Sequence, residues 1–115
     1  MRKRDFNALT AFLEENLVDG DEVRFAADIG IFTEKDKNNL PYRYKGDVSL
    51  FYCDNQKYEL RVNNGMKISF IKRGNIEVCP GYSLILMPIQ INSVMPIDVD
   101  SKAVLEIRNP ENINY

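Results

Sequence analysis

The residues best suited to chemistry fall in a few short stretches, each offering a different kind of contact. Tyr42, Arg43, Tyr44 and Lys45 alternate ring and cation, the combination by which single-stranded nucleic acid or a charged ligand is gripped through stacking and ion pairing. No second basic cluster extends this run. The 15 Lys and Arg stand against 17 Asp and Glu, a net charge of -2 that supplies no field for a polyanion. The plainer account is an edge strand with solvated charges.

Tyr52, Tyr58 and Tyr82 carry hydroxyls that can orient a polar ligand, although their rings bury as readily as any core aromatic. Asp98 and Asp100, two positions apart, can share one side of a strand, as an acid–base pair or a divalent-cation site requires. No third oxygen-rich element accompanies them, so a solvated face is the plainer account here too. Asp19 and Asp21 flank Gly20 like a fragment of a calcium loop, but the loop is too short and lacks its closing glutamate.

Other chemistry lacks its parts. The chain contains no histidine, which removes the usual general base, and no serine or cysteine sits in a nucleophile elbow. With Cys53 and Cys79 the only cysteines, a structural zinc site would be short of ligands. The expectation is a non-catalytic chain with no metal and no cofactor. Each cysteine lies in an apolar run, which suits a buried free thiol in a reducing cytoplasm better than a disulfide.

The basic start at Met1, Arg2, Lys3 and Arg4 resembles that of a signal peptide, but Asp5, Asn7, Glu14, Glu15 and Asn16 interrupt any apolar core behind it. No export signal is read, and a cytoplasmic location is expected. The longest apolar-rich stretch, 83–91, carries Pro88 and Gln90 and falls far short of the roughly 20 residues a bilayer span needs. No membrane partner is expected.

These residues must be positioned by a single domain, since 115 residues with 44% hydrophobic and 28% charged side chains suit one ordinary core. Phe6, Leu9, Phe12, Leu13 and Leu17 recur at helical spacing behind a possible cap at Asp5, with Asp19 and Gly20 as a stop, which predicts a helix over 5–19. The period then becomes two. Val23, Phe25, Ala27, Ile29 and Ile31 alternate with polar or small residues, predicting a strand over 22–32, and 33–41 reads as a loop.

From 42 to 108 turn signals separate short apolar runs. The stretch 48–53 reads as a strand covered on both faces and closed by Asp54 and Asn55. Tyr58, Leu60 and Val62, then a two-residue turn at Asn64 and Gly65, then Met66, Ile68 and Phe70, predict a hairpin. Runs at 76–79, 82–87, 89–91, 94–99 and 103–107 complete seven or eight antiparallel strands, with a break at Pro88, and 109–115 reads as a polar tail. No helix is predicted after Gly20, which disfavours a βαβ sheet. The class is mainly β, a sandwich or barrel. The alternative is α+β, a single antiparallel sheet with the helix across one face.

The run LPYRYKGDVSLFYCDNQKYELRVNN, beginning at Leu40, resembles the proline-and-aromatic lead, first core strands and hairpin of the N-terminal regulatory domain of AraC-type transcription regulators. The run IKRGNIEVCPGYSLILMP, beginning at Ile71, is similar to that family's turn with glycine, short strand, proline-glycine corner, apolar strand and proline. The resemblance covers about two-thirds of the chain. It implies a small cupin-like jelly-roll barrel whose lumen holds a small organic effector.

Metal-binding cupins follow that last proline with a histidine, near the place where this chain has Asn92 and Ser93. The departure implies no metal. It makes Gln90, Asn92 and Ser93 the first residues to line an effector site, with Tyr44, Tyr52 and Tyr82 as further wall residues. The regulators read DNA through helix-turn-helix units that nothing after Ile107 supplies, so DNA is expected as a partner only through a module outside this sequence.

The function that follows is a ligand-sensing, dimerising regulatory domain, with a small-molecule effector and a second copy as partners. Two alternatives belong to other classes: a stand-alone protein-interaction module using a strand edge or the helix, and a metal-free cupin enzyme.

Overall fold

A computed structural model describes residues 3–32, 42–63, 65–93 and 102–110. Phe6, Leu9 and Leu13 wind onto one face of helix α1 (Lys3–Glu14), and all three are buried. The helix starts ahead of Asp5 and stops short of the expected 19. Asp5 therefore lies in the first turn, where the positive end of the helix dipole favours a carboxylate. The last helical bond runs from the Glu15 N–H to the Ala11 carbonyl at 2.9 Å. Beyond it the Asp21 carboxylate accepts the Val18 N–H at 2.8 Å, and the Gly20 N–H donates to the Tyr52 carbonyl at 2.9 Å. Residues expected to stop a helix thus tie the connector to a strand.

Seven strands are found among the described residues: β1 (Glu22–Phe32), β2 (Tyr42–Tyr52), β3 (Lys57–Val62), β4 (Lys67–Lys72), β5 (Glu77–Cys79), β6 (Leu84–Ser93) and β7 (Ala103–Arg108). All their pairings are antiparallel, which with the leading helix is the expected mainly β class. The run expected at 94–99, the loop at 33–41 and the end of the tail at 111–115 lie outside the described residues.

The sheet order is β4-β3-β2-β1-β7-β6-β5, and a further pairing of β4 with β6 closes six of the strands into a ring. Along one edge of β6, β5 pairs with Leu84 to Leu86 and β4 takes over from Ile89. Connectivity is an up-and-down meander, each strand paired with the next in the chain except β4, which shares the edge of β6 with β5, where a jelly roll carries strands across to distant positions. The tight connections after β2, β3 and β5 leave no chain for such a crossing.

Two expected boundaries moved for local reasons. Gly46, at φ 152°, lets β2 run unbroken from Tyr42 through the point where the sequence reading separated an aromatic run from 48–53. Strand β6 runs through Pro88 without a break. The Pro88 carbonyl accepts the Arg73 N–H at 2.9 Å, so its missing donor would have pointed to the same side, into the gap between β4 and β5 where the ladder has no partner.

The turn chemistry is otherwise as read, with one change of length. Asn55 and Gln56, at φ 46° and 65°, form a type I′ turn closed by the Lys57 N–H on the Asp54 carbonyl at 2.7 Å. Val62 and Met66 close the next hairpin at 3.1 Å, which makes its loop three residues rather than two.

Alternation along the ring sends Phe25, Ile29, Ile31, Leu50, Leu60, Phe70, Ile85, Met87, Leu105 and Ile107 inward, where they share one core with the apolar face of α1. Phe12, Tyr52, Tyr58 and Phe70 join helix to barrel: Tyr58 stacks on Phe70 at 5.6 Å and meets Tyr52 edge-on at 5.3 Å and Phe12 at 6.5 Å. Twelve large side chains are below 2% exposed, so they border no space that a water could enter. The lumen implied by the family resemblance is a packed apolar core along this stretch. No helix among the described residues is long and apolar enough to cross a membrane.

Candidate ligand cleft

A meander with a filled interior offers ligands its outer wall, and there the register of β1, β2 and β3 builds a charged array. Arg24 pairs with Ser49, and Ser49 with Arg61, so the three form one row across adjacent strands. Glu22, Phe51 and Glu59 make the next row, and Ala26 faces Asp47 on the other side. From the row of Arg24, Ser49 and Arg61 toward Asp47 and the first turn of α1 runs a cleft of about 520 Å³, lined by Asp5, Arg24, Asp47, Ser49, Arg61 and Asn63, with parts of Phe25, Ala26, Val48 and Val62.

Both arginines are held from behind. Arg24 Nε donates to Glu22 Oε1 at 2.8 Å, and Arg61 donates to Glu59 Oε2 through Nε at 3.1 Å and its terminal amine at 2.8 Å. The Arg61 guanidinium also lies 4.1 Å from the centre of the Phe51 ring. The Arg24 guanidinium holds the Glu22 carboxyl below its ordinary value, and a hydrogen bond from Ser49 adds to that effect. Glu22 in turn pushes the Arg24 pKa up. Bonds along each strand fix the stems of two guanidinia on either side of Ser49, and preorganisation of this kind lowers the ordering cost of binding.

A smaller cleft of about 270 Å³ opens where α1 ends, lined by Leu13, Glu14, Glu15, Asn16, Leu17, Tyr52, Gln56, Tyr58 and Lys72. Tyr52 and Tyr58, two of the tyrosines singled out from the sequence for their hydroxyls, border it. The remaining expected wall residues are dispersed. Tyr44 is half-buried on the inner side of β2, its hydroxyl folded over Gly46. Tyr82 stands 77% exposed on a single 3-10 turn, Pro80–Tyr82.

Gln90 and Asn92 point away from the core, because Ile89 and Ile91 take the inward positions of β6. Gln90 accepts a hydrogen bond from Arg73. Ser93 ends β6, paired with Ser69. The fold therefore does not assemble Tyr44, Tyr52, Tyr82, Gln90, Asn92 and Ser93 into one pocket. The pair Asp98 and Asp100 lies outside the described residues.

The run from Tyr42 to Lys45 is divided by the same two-residue period. Tyr42 is buried, while Arg43 and Lys45 are exposed on the other face, so rings and cations do not form a common surface. Arg43 instead donates to the buried Asp28 carboxylate at 3.2 Å. The Tyr42 hydroxyl is buried with no hydrogen-bond partner among the described residues. Burial, reinforced by neighbouring Tyr44, raises its pKa.

Cys53 and Cys79 are half-buried free thiols, and burial pushes the Cys53 pKa up, with Glu59, Asp19 and Asp54 adding to it. Among the described residues no three His, Cys, Asp or Glu side chains are grouped to hold a metal ion.

No protein-family model, curated protein or solved structure matches this chain.

Sequence reasoning missed the outer cleft. Its parts alternate with core residues along three separate strands, and only the strand register shows that Arg24, Ser49 and Arg61 share a row. The one sequence signal was the presence of arginine at equivalent outward positions of two alternating strands.

Proposed function

We propose that this chain is a non-catalytic, ligand-sensing regulatory domain that takes a small polar effector on its outer wall. The observation that carries the reading is the cleft over Arg24, Ser49 and Arg61, whose volume is in the range that small-molecule sites occupy. The regulatory half of the reading rests on the resemblance to the AraC-type domain, with DNA contacted by a module outside this sequence. An effector on the exterior acts by population shift, favouring one arrangement of the domain with a second copy or an attached module, since equal affinity for both arrangements would change nothing.

A thermal-shift screen of sugars, small acids and amino acids tests the proposal. Stabilisation that disappears in Arg61→Ala supports it, because that substitution removes a cleft side chain and leaves the core intact. The proposal fails if no compound stabilises the wild-type chain.

A protein-interaction module is the second reading, and Tyr82 favours it as an aromatic side chain presented to solvent beside a corner. That reading expects a defined partner whose binding Tyr82→Ser weakens while cleft substitutions leave it unchanged. Co-purification followed by light scattering on the isolated complex separates the two.

A further inference from the structure

Charge around the cleft restricts what it can hold. Two carboxylates, Asp5 and Asp47, line it together with two guanidinia, Arg24 and Arg61, so the charges of its lining balance. An anion without a compensating cation would meet the arginine row but also the field of Asp47 and Asp5. A cation without an anionic group would meet the field of Arg24 and Arg61.

The spacing is set by the sheet. Arg24 and Arg61 are two strands apart, about 9–10 Å between backbones, and the row of Asp47 lies roughly 7 Å further along the strands from that of Ser49. A carboxylate fits between the two guanidinia, which present planar donor edges matched to it. A positive group a few ångströms away then falls beside Asp47.

We infer that the effector is a small zwitterion, an amino acid or a compound like one, with its carboxylate between Arg24 and Arg61 and its ammonium toward Asp47. This deepens the proposed function and rests on the cleft being the binding site. Glu22 and Glu59 are engaged with the arginine stems, so Asp47 is the acid that distinguishes a zwitterion from a plain carboxylate. Both arginine side chains are exposed, at 79% and 44%, so each ion pair contributes modestly and affinity comes from meeting both charges together.

The test titrates the isotope-labelled full chain with γ-aminobutyrate, butyrate, butylamine and xylose, following the amide signals of Asp47, Ser49, Arg61 and Asn63. γ-Aminobutyrate is expected to shift these signals saturably, with a Kd about two- to fivefold below those of butyrate and butylamine, the effect of one exposed charge pair. Asp47→Asn should erase that advantage over butyrate, and Arg61→Gln should erase the advantage over butylamine. Butyrate binding as tightly as γ-aminobutyrate, or an unchanged ratio in Asp47→Asn, overturns the zwitterion inference and leaves the cleft as a site. Xylose binding tighter than the charged probes does the same. If none of the four moves the cleft signals of the folded chain, the cleft reading falls and the inference with it.

Discussion

Tyr42→Phe removes a single oxygen atom that the fold buries and leaves unbonded among the described residues. Tyr42 is only 6% exposed, at the start of β2 and opposite Ile31 in the register. A buried hydroxyl deprived of water and of a partner costs about 1–3 kcal/mol. Deleting it forfeits only the dispersion contacts of one atom, roughly a few tenths of a kcal/mol. The net expectation is a gain of about 1–2 kcal/mol.

For a domain of this size that gain corresponds to a rise in Tm of roughly 4–8 °C. Urea denaturation followed by circular dichroism, with the slope checked for constancy, measures it directly. Tyr58→Phe is the contrast: that ring is equally buried at 3% exposed, yet it borders the smaller cleft, so its substitution should bring no such gain. A loss of 1 kcal/mol or more in Tyr42→Phe would refute the reasoning, because it would mean that the hydroxyl is bonded in solution.

Three further outcomes are expected. Burial raises the pKa of both Tyr42 and Tyr58, so the unfolded chain ionises these phenols first; stability present below about pH 10 should fall as pH rises above it, less steeply in Tyr42→Phe, as urea midpoints at pH 9, 10 and 11 would show. Gln56→Gly should stabilise by about 0.5–1 kcal/mol, because Gln56 occupies the second central position of a type I′ turn at φ 65°, and an unchanged or lower urea midpoint would count against that account. Gly46→Ala should destabilise by about 1–3 kcal/mol, since φ is 152° and the new Cβ would lie 2.9 Å from the Tyr44 hydroxyl; an unchanged midpoint would show that the Tyr44 ring moves aside at no cost.

Local features of the fold were legible because neighbouring residues decide them. The alternation of Tyr58, Leu60 and Val62 followed by Ile68 and Phe70 marks an inward and an outward face whichever strands lie alongside, and β3 and β4 pair as that pattern requires. The stripe of Phe6, Leu9 and Leu13 likewise needed only the helical period. Gly46 and Pro88 were less transparent. As single residues they read as interruptions, yet one provides a permissive backbone angle and the other places its missing donor in a gap between two strands.

The site was less legible than the fold. Gln90 and Asn92 were expected beside a guest on the strength of a family pattern, but the inward positions of β6 went to Ile89 and Ile91, which leaves them on the outer wall. The cleft residues come from α1, β1, β2 and β3 and the turn after it, and nothing in their sequence spacing announces that they meet.

By itself the sequence determined the mainly β class, the amphipathic helix, most of the turns and which side chains go inward, since each depends on periodicity or on backbone preferences within a few residues. Tertiary structure decided the rest. Closure of β4 onto β6 filled the interior with apolar side chains, and the register of three strands set Arg24, Ser49 and Arg61 in one row. Strand partners and register are chosen by long-range packing of the whole chain, because only the assembled ring shows which buried side chains fit together.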